Sequence, residues 1–135
     1  MNLINSLKII SFPIIIIVLL CLYVFGSYEN DFETVDVKTF EELIKKDNVT
    51  ILDVRTNDEF KEGHIEKAIN IDYYSKDFIK TCKEKLNKDN KIAIYCQSGY
   101  RSKKSANLLV KENFTVINLK GGIENWKKYN KKTVK

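Results

Sequence analysis

The stretch KIAIYCQSGYRS, residues 91–102, decides how the chain is read. Its first five residues are dominated by apolar and β-branched side chains, the composition of a strand buried within a sheet. A short polar loop follows, in which Gly99 permits a sharp backbone path. From Arg101 to Glu112 the pattern is helical, with Ala106, Leu109 and Val110 on the inward face. A buried strand that runs through a tight loop straight into a helix is one half of a β–α unit, and repeated units of this kind build parallel sheets with helices on both faces.

Working outward, the same alternation recurs on both sides. Upstream, Thr34-Val35-Asp36-Val37 reads as a first strand, and Thr39-Phe40-Glu41-Glu42 as a capping box opening a helix with Phe40, Leu43 and Ile44 on one face. Residues 49–54 (VTILDV) are a buried strand by their β-branched content. Thr56-Asn57-Asp58-Glu59 is a second capping box, and the short helix it opens stops at Gly63. Residues 68–71 (AINI) suit a short strand. Residues 75–86 form an amphipathic helix with Phe78, Ile79, Cys82 and Leu86 together, which makes Cys82 a core residue. Downstream, residues 115–119 (TVINL) read as a strand and residues 123–129 as a last helix carrying Trp126 towards the core. The expected fold is α/β, a central parallel sheet flanked by helices, with the functional site beyond the carboxyl ends of the strands.

Cys96 stands at such an end. A helix N-terminus presents unpaired N–H groups and a partial positive charge, and a loop curling around the sulfur adds further donors to form an anion-binding nest. Arg101 contributes a full positive charge. Together these favour thiolate over thiol at Cys96. Cysteine at a strand end is often merely buried, but here a glycine, an arginine and a helix start all fall within six residues of it.

Three segments in this order resemble the rhodanese-like sulfurtransferases. Leu52-Asp53-Val54-Arg55 with Glu59-Phe60 and Gly63-His64-Ile65 resembles their first signature, Cys96-Gln97-Ser98-Gly99-Tyr100-Arg101-Ser102 their active-site loop, and Leu119-Lys120-Gly121-Gly122 with Trp126 their closing motif. The resemblance implies a single rhodanese-like domain over residues 35–128. It makes Cys96 the nucleophile that accepts sulfane sulfur from a donor such as thiosulfate, with transfer to a thiol or protein-cysteine acceptor. It assigns the backbone of Gln97, Ser98, Gly99, Tyr100 and Ser102 to cradling the persulfide and incoming oxyanion, and Arg101 to stabilising negative charge. Asp53, Arg55 and His64 become structural support, and no metal or organic cofactor is implied. In one departure, Lys67 occupies a position where the family often has glycine. Related folds act as phosphatases or arsenate reductases, but their loop is one residue longer than the six from Cys96 to Arg101. A non-enzymatic module that senses redox state or binds a partner is the other alternative.

The N-terminal segment differs in character. Residues 9–25 (IISFPIIIIVLLCLYVF) are almost wholly apolar, and the run between Lys8 and Glu29 carries no charge. Its length suits one transmembrane helix. Residues 1–27 are expected to be a membrane anchor, or else a signal segment cut near Val24-Phe25-Gly26, with residues 28–34 as a linker. Cys21 would be an apolar side chain in the membrane. Lys8 precedes the span and Glu29, Asp31, Glu33 and Asp36 follow it, which places the domain on the extracytoplasmic side. A cleaved segment would leave it secreted. With two cysteines left, the domain must stand on its apolar core. Residues 28–135 carry a net charge of +4, largely from lysines at the C-terminus, and residues 129–135 read as a solvated basic tail. Nothing in the pattern suggests a nucleic-acid partner.

Overall fold

The computed structural model describes residues 13–23 and 31–135. The chain divides between residues 30 and 31 into two units. In the first, residues 13–23 are helical, which at 1.5 Å per residue reaches roughly 16 Å, about half a hydrocarbon layer. Among the described residues, no helix is long and apolar enough to cross a membrane. The rest of the expected span, including Val24-Phe25-Gly26, lies outside the described residues, as do residues 28–30 of the expected linker.

In the second unit, strands β1 (Glu33–Val35), β2 (Val49–Asp53), β3 (Ile69–Asn70), β4 (Lys91–Tyr95) and β5 (Thr115–Leu119) alternate with helices α1 (Val37–Ile44), α2 (Asn57–Glu62), α3 (Phe78–Lys85), α4 (Tyr100–Lys111) and α5 (Gly122–Lys128). The five strands form one sheet in the order β1-β5-β4-β2-β3, and every pairing is parallel. Each strand alternates its side chains between the two faces. Leu52, Ile92, Ile94 and Val116 meet Cys82 of α3 and Leu109 of α4 on one side. Ile51, Ala93, Tyr95 and Ile117 meet Phe40 of α1 and Trp126 of α5 on the other. Both faces are therefore covered, as the continuous apolar character of β4 requires.

Three expectations are corrected. The first helix opens at Val37, not Thr39: Asp36 is its N-cap, its side chain accepting from the Thr39 N–H at 2.8 Å. Thr39 is thereby drawn into the helix, and Glu42 pairs with Lys45 instead of capping. The physical reason is that Val37 and Phe40, one helical turn apart, are both buried on the same face, whereas a strand through Val37 would separate them. Within the expected linker, Glu33 and Thr34 belong to β1 and pair with Ile117 and Asn118. The basic tail is docked. The Trp126 indole N–H donates to the Lys132 carbonyl at 2.9 Å, and His64 and Val134 exchange backbone hydrogen bonds at 2.9 Å. Lys131 reaches Glu41 at 2.7 Å. A buried indole needs an acceptor, and the tail backbone supplies it.

Smaller differences sit at element ends. The helix expected from residue 75 begins at Phe78 after a turn, and the strand expected over residues 68–71 is confined to Ile69–Asn70. The second capping box forms as read, with the Thr56 side chain and the Glu59 carboxylate exchanging bonds with each other's backbone N–H. Lys67 makes its turn without glycine, taking φ +67° while the Ala68 N–H closes onto the Ile65 carbonyl at 3.0 Å.

Candidate active site

Strand β4 ends at Tyr95, so the next residue, Cys96, leaves the sheet at its carboxyl edge. It remains 1% exposed. The chain then turns through Gln97 and Ser98 to Gly99, whose φ of +112° is a conformation that side-chain-bearing residues rarely adopt. That turn points the Gly99 N–H back at the Cys96 sulfur, with N···Sγ 3.1 Å. Gly99 is also the N-cap of α4, so the sulfur faces the amino end of a helix of twelve residues. The Ser102 hydroxyl, buried, donates to the Gly99 carbonyl at 3.2 Å and fixes the loop from behind. Ser98 and Tyr100 are exposed.

The loop carbonyls are held away from the sulfur by the opposite helix. The Ile123 N–H donates to the Cys96 carbonyl at 2.9 Å and the Glu124 N–H to the Gln97 carbonyl at 3.1 Å. These are first-turn donors of α5 that have no partner within their own helix. The approach is so close that a Cβ on Gly122 would stand 2.5 Å from both carbonyl oxygens. With these carbonyls drawn to α5, the Gly99 N–H faces the sulfur, a donor of the kind an anion cradle requires.

Beneath the loop, Asp53 and Arg55 form a buried ion pair at 2.6 Å, 0% and 2% exposed. Two further bonds run from Arg55 Nε to the carboxylate, and the Arg55 backbone N–H adds another at 2.9 Å. Burial opposes the Arg55 charge, but the hydrogen bonds and attraction of Asp53 outweigh it and raise its ionisation. Arg55 also donates to the Gly63 carbonyl at 2.8 Å and to the Gln97 side chain at 3.4 Å, tying the loop to the far end of α2. Burial and the neighbouring Asp53 charge push the Tyr95 phenol well up, so it stays neutral while accepting the Ile65 N–H at 3.0 Å. His64 stacks on Phe60 with centroids 3.7 Å apart, and its Nδ1 lies 3.0 Å from the Phe60 carbonyl.

Arg101 interacts electrostatically with Cys96, and it also has a partner that its sequence reading does not include. Both terminal nitrogens donate to Glu59, Nη1 to Oε2 and Nη2 to Oε1, each at 2.7 Å. Its guanidinium also lies 5.7 Å from the Tyr74 ring centroid. The bond from Arg101 is the main reason the Glu59 carboxyl drops to about 2, against burial and with help from Thr56, and Glu59 in turn raises Arg101. Sequence reasoning saw Glu59 only as half of a capping box and missed this second role, because no local pattern joins residues 42 positions apart. Glu124, which accepts from the Gln97 side chain at 3.3 Å, was missed for the same reason. Two cavities of about 290 and 690 Å³ lie elsewhere; neither is lined by a residue of the 96–102 loop. Among the described residues, no cluster of three or more His, Cys, Asp or Glu side chains is arranged to hold a metal.

Residues 36–129 match the family model described as Rhodanese-like domain. The chain is 36% identical over 87 residues to thiosulfate sulfurtransferase GlpE of Coxiella burnetii, covering 64% of this chain and 78% of that protein. It is 40% identical over 92 residues to tRNA uridine(34) hydroxylase of Acinetobacter baumannii, covering 65% of this chain but only 29% of the hydroxylase. The crystal structure of a rhodanese-related protein from Thermoplasma volcanium superposes with a TM-score of 0.65 at 28% identity, over 76% of this chain and 98% of that one.

Proposed function

Since the chain belongs to the rhodanese-like domain family, we propose that it is a sulfurtransferase working through a Cys96 persulfide. The carrying observation is the Gly99 N–H aimed at the Cys96 sulfur at 3.1 Å, in a loop whose carbonyls are drawn off by α5. Such a cradle stabilises the thiolate and, after one step, the persulfide anion in the same place. In the first half-reaction the Cys96 thiolate attacks the sulfane sulfur of a donor such as thiosulfate. A Cys96 S–S bond forms, the donor's S–S bond breaks, and its electron pair leaves with sulfite. In the second, an acceptor thiolate attacks the outer sulfur and the Cys96 thiolate is restored. A small thiol or a protein cysteine serves as acceptor. Splitting the transfer through a covalent intermediate is nucleophilic catalysis, and neither step calls on a metal or organic cofactor.

The test is mass spectrometry of the intact protein after incubation with excess thiosulfate and removal of the donor. A gain of about 32 Da on Cys96, lost on adding a thiol and absent in Cys96→Ser, is expected. No adduct with any sulfane-sulfur donor would leave the domain as a binding or sensing module.

The proposal extends to location. Residues 1–27 act as a membrane anchor or signal segment and place the domain on the extracytoplasmic side. Support comes from the charge asymmetry about the apolar run and from the exposed apolar side chains at positions 14–20. Protease added to intact cells should degrade the domain; complete protection that ends only when the membrane is lysed would reverse the assignment.

A further inference from the structure

We infer that Glu59 is a specificity-determining residue, which by occupying the Arg101 fork steers the site away from dianionic donors and towards organic hydropersulfides. This rests on the sulfurtransferase reading above and narrows its donor.

Arg101 is the one full positive charge within the 96–102 loop. A free guanidinium there would favour a dianion such as thiosulfate, since its planar fork matches oxyanion geometry. The fork is taken instead. Both end nitrogens are bonded to the two Glu59 oxygens at 2.7 Å, and the Arg101 side chain is only 13% exposed. Glu59 cannot readily swing off, because the Thr56 N–H and hydroxyl also hold its Oε2, at 2.9 and 3.0 Å. Glu124 brings a further negative charge to Gln97. The loop thus meets a donor mainly with neutral backbone N–H groups, and the Arg101 charge, which still acts on Cys96, is offset by Glu59.

A hydropersulfide R–S–S–H places no such demand. The Cys96 thiolate attacks the terminal sulfur, a new S–S bond forms at Cys96, and the donor's own S–S bond between its inner and terminal sulfurs breaks. The departing thiolate takes its electron pair and the proton released from the outer sulfur, so that Cys96–S⁻ and R–S–S–H become Cys96–S–S⁻ and R–S–H. Charge and atoms balance without another reactant.

The experiment compares kcat/KM for sulfur loading from thiosulfate and from 2-hydroxyethyl hydropersulfide, whose organic part carries no charge. In the wild-type protein the hydropersulfide should be preferred by about a hundredfold or more. Glu59→Gln frees the fork while keeping the capping box, which glutamine also makes. It should raise the thiosulfate value about tenfold and leave the hydropersulfide value within about twofold. Adding Arg101→Gln should abolish that gain. Equal wild-type preference for the two donors would overturn the inference without needing any variant, as would an unchanged donor ratio in a folded Glu59→Gln protein. Loading from neither donor would instead bring down the sulfurtransferase reading itself, and this inference with it.

Discussion

Cys82 and Cys96 are buried to nearly the same degree, 0% and 1% exposed, and belong to the same apolar cluster. Their backbones differ. Cys82 sits inside α3, where the helix consumes its own N–H and C=O groups, and its carbonyl accepts the Leu86 N–H at 2.9 Å. Only burial acts on its thiol, pushing it up to about 12. Cys96 sits where a strand has just ended and a helix has not yet begun, so backbone donors are unspent and one of them points at the sulfur. Burial alone makes a cysteine inert; burial next to unspent donors gives it a setting that can hold an anion.

The sharpest way to break this contrast is to remove each thiol in turn. Cys96→Ser should abolish sulfur loading and transfer, a loss of at least about a thousandfold. Cys82→Ala should keep kcat/KM within about twofold while costing about 1–2 kcal/mol in chemical denaturation. Alkylation sharpens it further. In native protein at pH 8, peptide mapping should find Cys96 labelled and Cys82 unlabelled, and both labelled only after unfolding. Native labelling of Cys82 at the rate of Cys96 would erase the distinction.

The next effect concerns what lies under each thiol. On the Cys96 side this is the Asp53–Arg55 pair, both groups almost fully buried. Asp53→Asn leaves the Arg55 charge without its counterion and should cost about 3–5 kcal/mol, read from the denaturation midpoint. A cost below about 1 kcal/mol would mean the pair is not the support that the geometry implies.

The unspent donors depend on α5 drawing off the carbonyls, and Gly122 tests that. Its φ of +61° and the 2.5 Å approach to the Cys96 and Gln97 carbonyl oxygens leave no room for a methyl group. Gly122→Ala should lower kcat/KM by about a hundredfold through displacement of the loop. Cys82 should stay unlabelled in native protein, since α3 is untouched. Full activity in this variant would show that the loop keeps its shape without α5.

How much of this was legible in the sequence depended on distance along the chain. The loop from Cys96 to Ser102 could be read because strand end, glycine and helix start are adjacent. The strands could be read because sheet burial on both faces demands the apolar, β-branched runs that residues 49–54 and 91–95 display. Asp36 was misread because Asp36 and Thr39 both make acceptable caps, and burial of Val37 beside Phe40, a tertiary effect, decided between them. The tail was misread because its lysines describe only their own charged ends. The need of the Trp126 indole for an acceptor, and the backbone pairing of His64, are invisible in a list of residues. Glu59 was half legible: its capping role is local, its hold on Arg101 is not.

That hold also supplies the finest test of the comparison, because a partly exposed ion pair lies beside each cysteine. The pair beside Cys82, Lys83–Glu112 at 3.3 Å, has side chains 50% and 36% exposed and contributes little in water. The pair beside Cys96, Arg101–Glu59, is shorter and better shielded, and it lowers the Glu59 carboxyl from 4.5 to about 2. A carboxyl whose ionisation is depressed by folding adds stability that is fully present above its ordinary value and is lost as pH falls towards the folded one. The window is therefore pH 4.5 down to about 2. Within it, wild-type stability should fall more steeply than that of Glu59→Gln, by about 1 kcal/mol across the range after allowing for solvent screening. Parallel curves for wild type and Glu59→Gln would show that the two ion pairs count alike, and the contrast between the cysteines would then rest on the loop alone.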